Sequence, residues 1–240
     1  MWAPLSPLGA WVTSELARRV VMAVSMAGGL VAFVYSPPGQ TSGAHINPAV
    51  TLTFFALGRV EPWDATFYVV AQFLGATLGV AAAALLMGSW AAHPAVNFIL
   101  TVPGTAGIWA AFAMEVAITF ALMSVVLIAV NNLRLARFTG ILAGSTLALI
   151  IVVATPVSGA SLNPARSFGS AAIANVWQPL WLYLVAPVLG ALLAGAVYTV
   201  AHRGDRLLCA KLHHHNRRQC IFRCGYRAAG IDPLAKGATQ

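Results

Sequence analysis

Two asparagines, Asn47 and Asn163, are the residues of this chain whose type and setting could select a solute. Each stands directly before a Pro-Ala pair. An asparagine whose side-chain oxygen caps a helix keeps its amide protons, which can donate hydrogen bonds to a passing molecule. Water held by such donors turns its oxygen toward them, and this interrupts a proton-conducting chain of hydrogen bonds. The pair therefore predicts a passage for neutral, hydrogen-bonding molecules.

The two asparagines belong to a nine-residue sequence that occurs twice. Residues 42–50 read Ser-Gly-Ala-His-Ile-Asn-Pro-Ala-Val and residues 158–166 read Ser-Gly-Ala-Ser-Leu-Asn-Pro-Ala-Arg, with six of nine positions identical. Asn is a preferred helix N-cap and Pro a preferred first helical residue, so each copy predicts the start of a helix. We expect short helices at 47–57 and 163–174, neither long enough to cross a bilayer.

The composition places these short helices inside a membrane protein. The hydrophobic fraction is 59%, the charged fraction is 8% and the mean hydropathy is +0.79. A soluble domain carries about 25% charged residues, so the chain is expected to cross the membrane several times. The apolar bundle contains no nucleophile–base pair and no phosphate-binding loop, so we expect neither enzymatic activity nor a cofactor.

The apolar runs predict five membrane spans. A second pair of similar segments shows that the spans, too, belong to the repeat. Residues 68–76 match residues 183–191 at an offset of 115, so each half contains a span, a short helix and a span. One additional span precedes the second half, and the internal symmetry requires the same in the first. We expect the first helix to be absent through a misplaced start or a deletion, which would leave a gap beside the first short helix.

These elements predict an all-α membrane protein with an inverted repeat, in which two half-helices meet at the membrane midplane. Its parts are an N-terminal segment without a span (1–18), an incomplete first repeat (19–88), a connecting loop (89–108), a second repeat (109–202) and a basic tail (203–240).

Positive charge predicts the orientation in the membrane. Eight of the fourteen Lys and Arg residues lie from Arg203 onward, and the loop 131–137 is also basic. Since Lys and Arg are retained on the cytoplasmic side, we expect a multi-pass membrane protein with a cytoplasmic tail. Nucleic acid is the alternative partner of a basic tail, but no aromatic or groove-reading pattern accompanies the charge, so none is expected.

Two Asn-Pro-Ala sequences in inverted halves, with Arg166 directly after the second, resemble the aquaporin and glycerol-facilitator (major intrinsic protein) family over about residues 19–202. The tail resembles that of a bacterial branch of the family, which implies a bacterial inner membrane. The resemblance also implies a homotetramer in the lipid bilayer, each chain a passive channel for water and small uncharged solutes. Ions and protons would be excluded, because both half-helix N-termini carry partial positive charge. The implied pore residues are Asn47, Pro48, Ala49, Asn163, Pro164 and Ala165.

The family has an outer constriction of four positions, which the resemblance transfers to Arg166, Ala160, Ile151 and Ala27, or to Gly28 in place of Ala27. Strict water channels of the family carry a histidine at the Ile151 position and an aromatic residue at the fourth. Small and aliphatic residues here imply a wider, less polar constriction. We expect it to pass glycerol-like polyols, urea or undissociated metalloid acids as well as water.

Two buried polar residues are expected to support the pore. The resemblance implies that Glu115 holds backbone amides of the second re-entrant loop, and the first half offers no counterpart. His45 stands two residues before Asn47, where it would line the pore or bond loop backbone. A pH gate at His45 is the alternative, because histidine titrates near neutral pH.

The tail carries all three cysteines and a run of histidines. Cys209, His213, Cys220 and Cys224 could bind zinc or iron, although the spacing of the cysteines is not a common one. A plain basic tail with reduced thiols is the simpler interpretation. Two alternatives to the channel remain open: a truncated, non-conducting or metal- or redox-sensing membrane protein that uses this tail, and an ion-coupled transporter, which would have Glu115 as its only obvious relay.

Overall fold

The computed structural model describes residues 11–202, 207–216 and 218–228. Almost all of its ordered structure is helical. The helices are α1 (Glu15–Tyr35), α2 (Pro37–Ser42), α3 (Pro48–Ala56), α4 (Pro62–Met87), α5 (Ser89–Ala92), α6 (Ile108–Val130), α7 (Thr139–Ser158), α8 (Pro164–Ala174), α9 (Leu180–Ala201) and α10 (Gly225–Ala228), with 3-10 turns at Asn97–Ile99 and Ala136–Phe138.

Within the described residues, five helices are long and apolar enough to cross a membrane, and they are α1, α4, α6, α7 and α9. The apolar runs of the sequence predicted the same number of spans. The first of them begins at Glu15, four residues before the predicted boundary at 19, because the Ser14 side chain caps it by accepting from the Ala17 amide at 3.5 Å. Residues 15–18 therefore belong to the first span.

The two short helices begin where the repeated sequence predicts. Asn47 caps α3 and Asn163 caps α8, and each cap is followed by proline at the first helical position. At 1.5 Å per residue, α3 and α8 are about 14 and 17 Å long, which is roughly half of the hydrocarbon core of a bilayer. Both helices are therefore half-spans.

Small residues bring the half-helices and spans into close contact. A Cβ added at Gly169 of α8 would lie 2.7 Å from the backbone carbon of Ala76 on α4. One added at Gly144 of α7 would lie 2.5 Å from the Val31 side chain and 3.3 Å from the Ala27 oxygen of α1. Because glycine has no Cβ, the helices can approach closely at these crossings. The contact at Gly169 holds the half-helix α8 against the span α4.

The two halves differ in how much of their spans they bury. Helix α6 buries ten residues and packs along α9, whereas α4 buries only Ala65. The apolar face of α4 includes exposed Val70, Leu74 and Leu78. In the described residues α4 has no long partner equivalent to the one that α6 supplies to α9, so the first half is the open side of the bundle.

The tail folds against one end of the bundle, which we call the tail face. The Leu208 amide donates to the Asn131 side-chain oxygen at 2.5 Å, and the Tyr226 hydroxyl donates to the Val130 carbonyl at 3.0 Å. Arg223 pairs with Glu61 at the start of α4, through an Nη2–Oε2 contact of 2.6 Å and a second contact from Nε. This ion pair holds the pKa of the Glu61 carboxyl below its usual value.

Candidate functional site

The two half-helices meet end to end, and their caps are hydrogen-bonded to each other's loops. The Asn47 amide nitrogen donates to the Leu162 carbonyl at 2.7 Å, and the Asn163 amide nitrogen donates to the Ile46 carbonyl at 2.9 Å. Each asparagine oxygen accepts from its own helix, from the Ala49 amide at 2.9 Å in the first copy and from the Ala165 amide at 3.0 Å in the second. The repeated sequences thus form one site with the positive ends of both helices directed at it.

The Ser-Gly-Ala turn before each cap explains why these three residues occur in both copies. Gly43 and Gly159 have φ of 76° and 80°, and the alanines after them have φ of 61° and 49°. The serine hydroxyl of each turn accepts from the alanine amide, at 3.3 Å in the first copy and 3.2 Å in the second. Two successive left-handed residues reverse the chain, and glycine is the residue that adopts the first of them without strain.

A tyrosine supports each turn in the same way. The Tyr68 hydroxyl donates to the Ser42 carbonyl at 2.5 Å, and the Tyr183 hydroxyl donates to the Ser158 carbonyl at 2.8 Å. These two tyrosines are aligned by the repeat in the sequence, but the repeat alone did not assign them a role. Their matching bonds show that the inverted symmetry extends to individual hydrogen bonds.

Glu115 is fully buried and supports the second loop. One carboxylate oxygen accepts from the Ser158 hydroxyl at 2.7 Å and from the Ser161 amide at 2.8 Å, and the other accepts from the Leu162 amide at 2.9 Å. Both oxygens are therefore engaged by the loop that carries Asn163, which is the geometry of a loop support.

The first loop has different supports. The Gln72 amide nitrogen donates to the His45 carbonyl at 2.7 Å and to the Thr51 hydroxyl at 3.0 Å. From the tail, the Leu212 amide donates to the Gly43 carbonyl at 3.2 Å, and the His45 Nε2 lies 2.7 Å from the Ala210 carbonyl. The His45 ring thus bonds tail backbone through Nε2 and lies 3.4 Å from the Thr51 hydroxyl through Nδ1. The tail contributes to the first loop where α6 contributes Glu115 to the second.

Arg166 projects from the first turn of α8 toward the long loop before α6. Its Nη1 donates to the Thr101 hydroxyl, which also accepts from the Ser167 hydroxyl at 3.0 Å. Thr101 is 3% exposed and lies against Gly159. No motif in the sequence predicts a role for Thr101, because the loop 93–107 has no counterpart in the repeat.

Ile151 and Ala160 are both buried, at 1% and 4% exposure, on the side of the bundle opposite the tail face. The fourth predicted position, Ala27, lies on α1, which packs against α7. The Ala27 carbonyl lies beside Gly144, and the Arg19 side chain donates to the Val152 carbonyl. Ala27 stays the prediction for the fourth position of the constriction.

Ala27 is buried at 8% exposure, as is Ala23 one turn earlier at 1%. Gly28, the other residue predicted for this position, is exposed with no atom within 4 Å of an added Cβ. The burial of Ala27 and the exposure of Gly28 favour Ala27 of the two predicted residues.

The tail brings its three cysteines together with one histidine, but the histidine is His214. The ligand atoms of Cys209, His214, Cys220 and Cys224 all lie within 4.8 Å of one another. His213, which the sequence had suggested, instead places its ring edge-on against Tyr35 at 4.7 Å. This corrects the predicted set, because the packing of His213 on Tyr35 takes that ring away from the cysteines.

The cluster favours a positive charge among its sulfurs. Burial lowers the pKa of His214, but hydrogen bonds with Cys220 and Cys224 outweigh it and raise the pKa to about 9. Hydrogen bonds with Cys220 and Cys224, together with burial, raise the pKa of the Cys209 thiol.

Comparison with known proteins agrees with this geometry. A family model described as Major intrinsic protein matches residues 8–198. Aquaporin NIP1-2 from Arabidopsis thaliana is 37% identical over 185 residues, which are 75% of this chain and 62% of the relative. Nodulin-26 from Glycine max is 40% identical over 181 residues, which are 75% of this chain and 64% of the relative. The chain thus spans less than two thirds of the length of these plant proteins.

A solved structure shares the fold. The X-ray structure of the aquaglyceroporin from Plasmodium falciparum matches with a TM-score of 0.61 at 21% sequence identity, over 75% of this chain and 79% of that chain. The fold expected from the sequence, an aquaporin-like all-α bundle with five spans, is confirmed. Because the relatives named here are plant proteins, a bacterial origin stays a prediction.

Proposed function

Because the chain belongs to the major intrinsic protein family, we propose that it is a passive channel for water and small uncharged solutes. The observation that carries this proposal is the pair of crossed hydrogen bonds, from Asn47 to the Leu162 carbonyl and from Asn163 to the Ile46 carbonyl, which places the N-termini of two half-helices at one point. Each amide nitrogen has two protons and uses one of them for the opposite loop. The second can hold a solute oxygen inside the bundle.

The same geometry supports exclusion of ions and protons. Two helix N-termini directed at one point carry about half a positive charge each, which repels cations. A water molecule whose oxygen accepts from these amides cannot pass a proton along the file. Neutral molecules with hydrogen-bonding groups satisfy the same donors and pass.

The residues near Arg166 support a solute wider than water. Ile151 and Ala160 are an aliphatic and a small residue, and Ala27, the fourth predicted position, is also small. One guanidinium opposite apolar walls suits a molecule with a polar and an apolar side. Glycerol-like polyols or undissociated metalloid acids fit that description, and water also passes.

We further propose that the tail face is cytoplasmic. The basic loop Asn131–Arg137 and the basic tail both lie at this face, as retention of Lys and Arg in the cytoplasm requires. The protein is then a multi-pass protein of an inner membrane, organised as two repeats, a connecting loop and a tail. A homotetramer is proposed from the family, and exposed Leu78, Leu85 and Leu86 on α4 leave apolar surface for lipid or a neighbouring chain.

Proteoliposome swelling tests the proposal. The full chain should raise the osmotic permeability above that of protein-free vesicles for water, glycerol and boric acid, with no rise in proton conductance. Asn163→Asp places a negative charge between the helix ends and should lower the solute flux and admit cations. Asn132→Asp, on the exposed tail-face loop, is the matched control and should change neither. A folded chain without permeability to any of these solutes would contradict the channel.

One specific observation favours a second function. The Cys/His cluster of the tail is buried and complete without help from the pore, so a metal-responsive membrane protein that does not conduct remains the alternative. An ion-coupled transporter is less well supported, because both Glu115 oxygens are taken up by loop donors.

A further inference from the structure

The tail cluster has the dimensions of a metal site. The Cys209 and Cys220 sulfurs are 3.3 Å apart, and His214 Nε2 is 3.1 Å from the Cys224 sulfur. In a tetrahedral zinc site, with bonds of about 2.3 Å to sulfur and 2.0 Å to nitrogen, ligand atoms are separated by about 3.5 to 3.8 Å. A shift of a few tenths of an ångström in these pairs would admit the ion.

The ligand types and their surroundings select the metal. Three thiolates and an imidazole are soft or borderline ligands, which suit zinc and not magnesium, calcium or manganese. The Lys211 amide lies 3.4 Å from the Cys209 sulfur, where it stabilises a thiolate. The Tyr226 ring stacks on His214 with centroids 4.2 Å apart and fixes the imidazole plane. With four protein ligands the site is closed, as structural zinc sites are.

The ligands alternate in sequence with the residues that dock the tail on the pore entrance. Ala210 and Leu212, between Cys209 and His214, bond His45 and Gly43 of the first loop. Phe222, between Cys220 and Cys224, stacks on the His45 ring with centroids 5.0 Å apart. Binding one ion at the ligands therefore fixes both docking segments.

The docked tail covers the first loop just before its asparagine. Ile46 is 43% exposed, whereas His45 is 4% exposed beneath Phe222. The tail has no long helix of its own, and short segments of this kind gain stability from a disulfide, a structural metal or contacts with a larger core. An ion bound by ligands from both docking segments would therefore strengthen the contacts that cover the loop.

We propose that Cys209, His214, Cys220 and Cys224 bind one zinc ion, and that the zinc-bound tail closes the tail-face entrance of the pore. The binding part stands by itself, and the closing part rests on the proposed channel function. A Cys209–Cys220 disulfide is the competing state, and it would leave Cys224 and His214 without a ligand role.

Metal analysis tests the binding. Full-length protein purified with reductant should contain about one zinc per chain, as a closed four-ligand site requires. Cobalt in its place should give the visible bands of a tetrahedral site and thiolate charge-transfer absorption. His214→Ala should lose most of the metal, whereas His213→Ala should keep it. Wild-type protein that stays metal-free after incubation with zinc, or equal loss in both variants, would overturn the site.

A mass measurement distinguishes a disulfide-bonded tail from a zinc-bound one. A chain lighter by two hydrogens, with no metal bound under reducing conditions, would support the Cys209–Cys220 bond and overturn the zinc site. Since titration of wild-type protein with cobalt needs no substitution, the test holds even where a variant fails to fold.

Cleavage by a lysine-specific protease reports docking without a flux measurement. The chain has two lysines, Lys211 and Lys236. Lys211 is 2% exposed in the docked tail, where its amine donates to the Asn216 side chain at 3.0 Å and the Arg218 carbonyl at 2.9 Å. Zinc-loaded protein should resist cleavage after Lys211, and chelator-treated protein should be cut there. Equal cleavage rates in the two forms would overturn metal-dependent docking.

Flux measurements test the closing separately. Chelator-treated protein in proteoliposomes should have a higher glycerol and water permeability than zinc-loaded protein, and zinc should reverse the increase. Equal permeability in the two forms would overturn the closing and leave the zinc site standing. Absence of permeability in both forms would contradict the channel itself, which is a different result.

Discussion

Replacing Glu115 by glutamine tests whether the second loop depends on a buried carboxylate. The substitution keeps the size of the side chain but exchanges one acceptor oxygen for an amino group. If the amide oxygen keeps the Ser158 and Ser161 donors, the amino group faces the Leu162 amide, so two donors point at each other. At least one hydrogen bond is lost, and a buried donor is left without an acceptor.

The magnitude follows from the kind of bond lost. Hydrogen bonds to charged groups contribute about 1.5 to 3 kcal/mol each, so Glu115→Gln should lower the free energy of unfolding by at least that amount. The loss of a negative charge near Arg166 adds to this cost, because it leaves a partly buried guanidinium without compensation. Since the loop carries Asn163, the solute flux should fall as well.

The assay is equilibrium unfolding of the full chain in mixed micelles, followed by the fluorescence of its seven tryptophans, together with water permeability in proteoliposomes. Glu15→Gln is the matched control. The Glu15 side chain is 82% exposed and pairs with Arg19 one turn away, and such a pair contributes about 0 to 1 kcal/mol. Equal stability and flux in the two variants would refute the assignment of Glu115 as the loop support.

Three further predictions follow from single contacts. Thr101→Val keeps the side-chain shape but removes the acceptor of the Arg166 guanidinium, and should lower the free energy of unfolding by about 1 to 3 kcal/mol; no loss would show that this bond is dispensable. Gly169→Ala inserts a methyl group into a contact with the α4 backbone and should cost about 1 to 3 kcal/mol in the same assay, whereas Gly79→Ala, which meets open space, should cost nothing. Phe222→Ala should speed cleavage by the lysine-specific protease without changing the zinc content; unchanged cleavage would show that this ring does not hold the tail in place.

The features read correctly from the sequence are local ones. An asparagine before a proline specifies a helix start through its own cap hydrogen bond, and the length of an apolar run specifies whether a helix can cross a bilayer. The half-helices at 48–56 and 164–174 and the five spans depend only on such signals. The repeat added the symmetry of the two halves, because both copies carry the same turn and cap residues.

Features that depend on distances between elements came only from the tertiary structure. The level of Ala27 beside Gly144 is set by how α1 slides along α7, and the count from Asn47 contains no information about that. Thr101 meets Arg166 across 65 residues of chain, through a loop outside the repeat. No periodicity or motif in the sequence predicts either contact.

The tail shows most clearly which features the sequence predicts and which ones only the tertiary structure decides. Its composition alone identified three thiols and a histidine as a possible metal site, because those side chains have few other common uses together. The structure decided that His214 and not His213 completes the set, since the His213 ring packs on Tyr35 while His214 reaches the cysteines. It also decided that the set lies beside His45, 165 residues from Ala210 in the chain, because only packing on the tail face brings the two together.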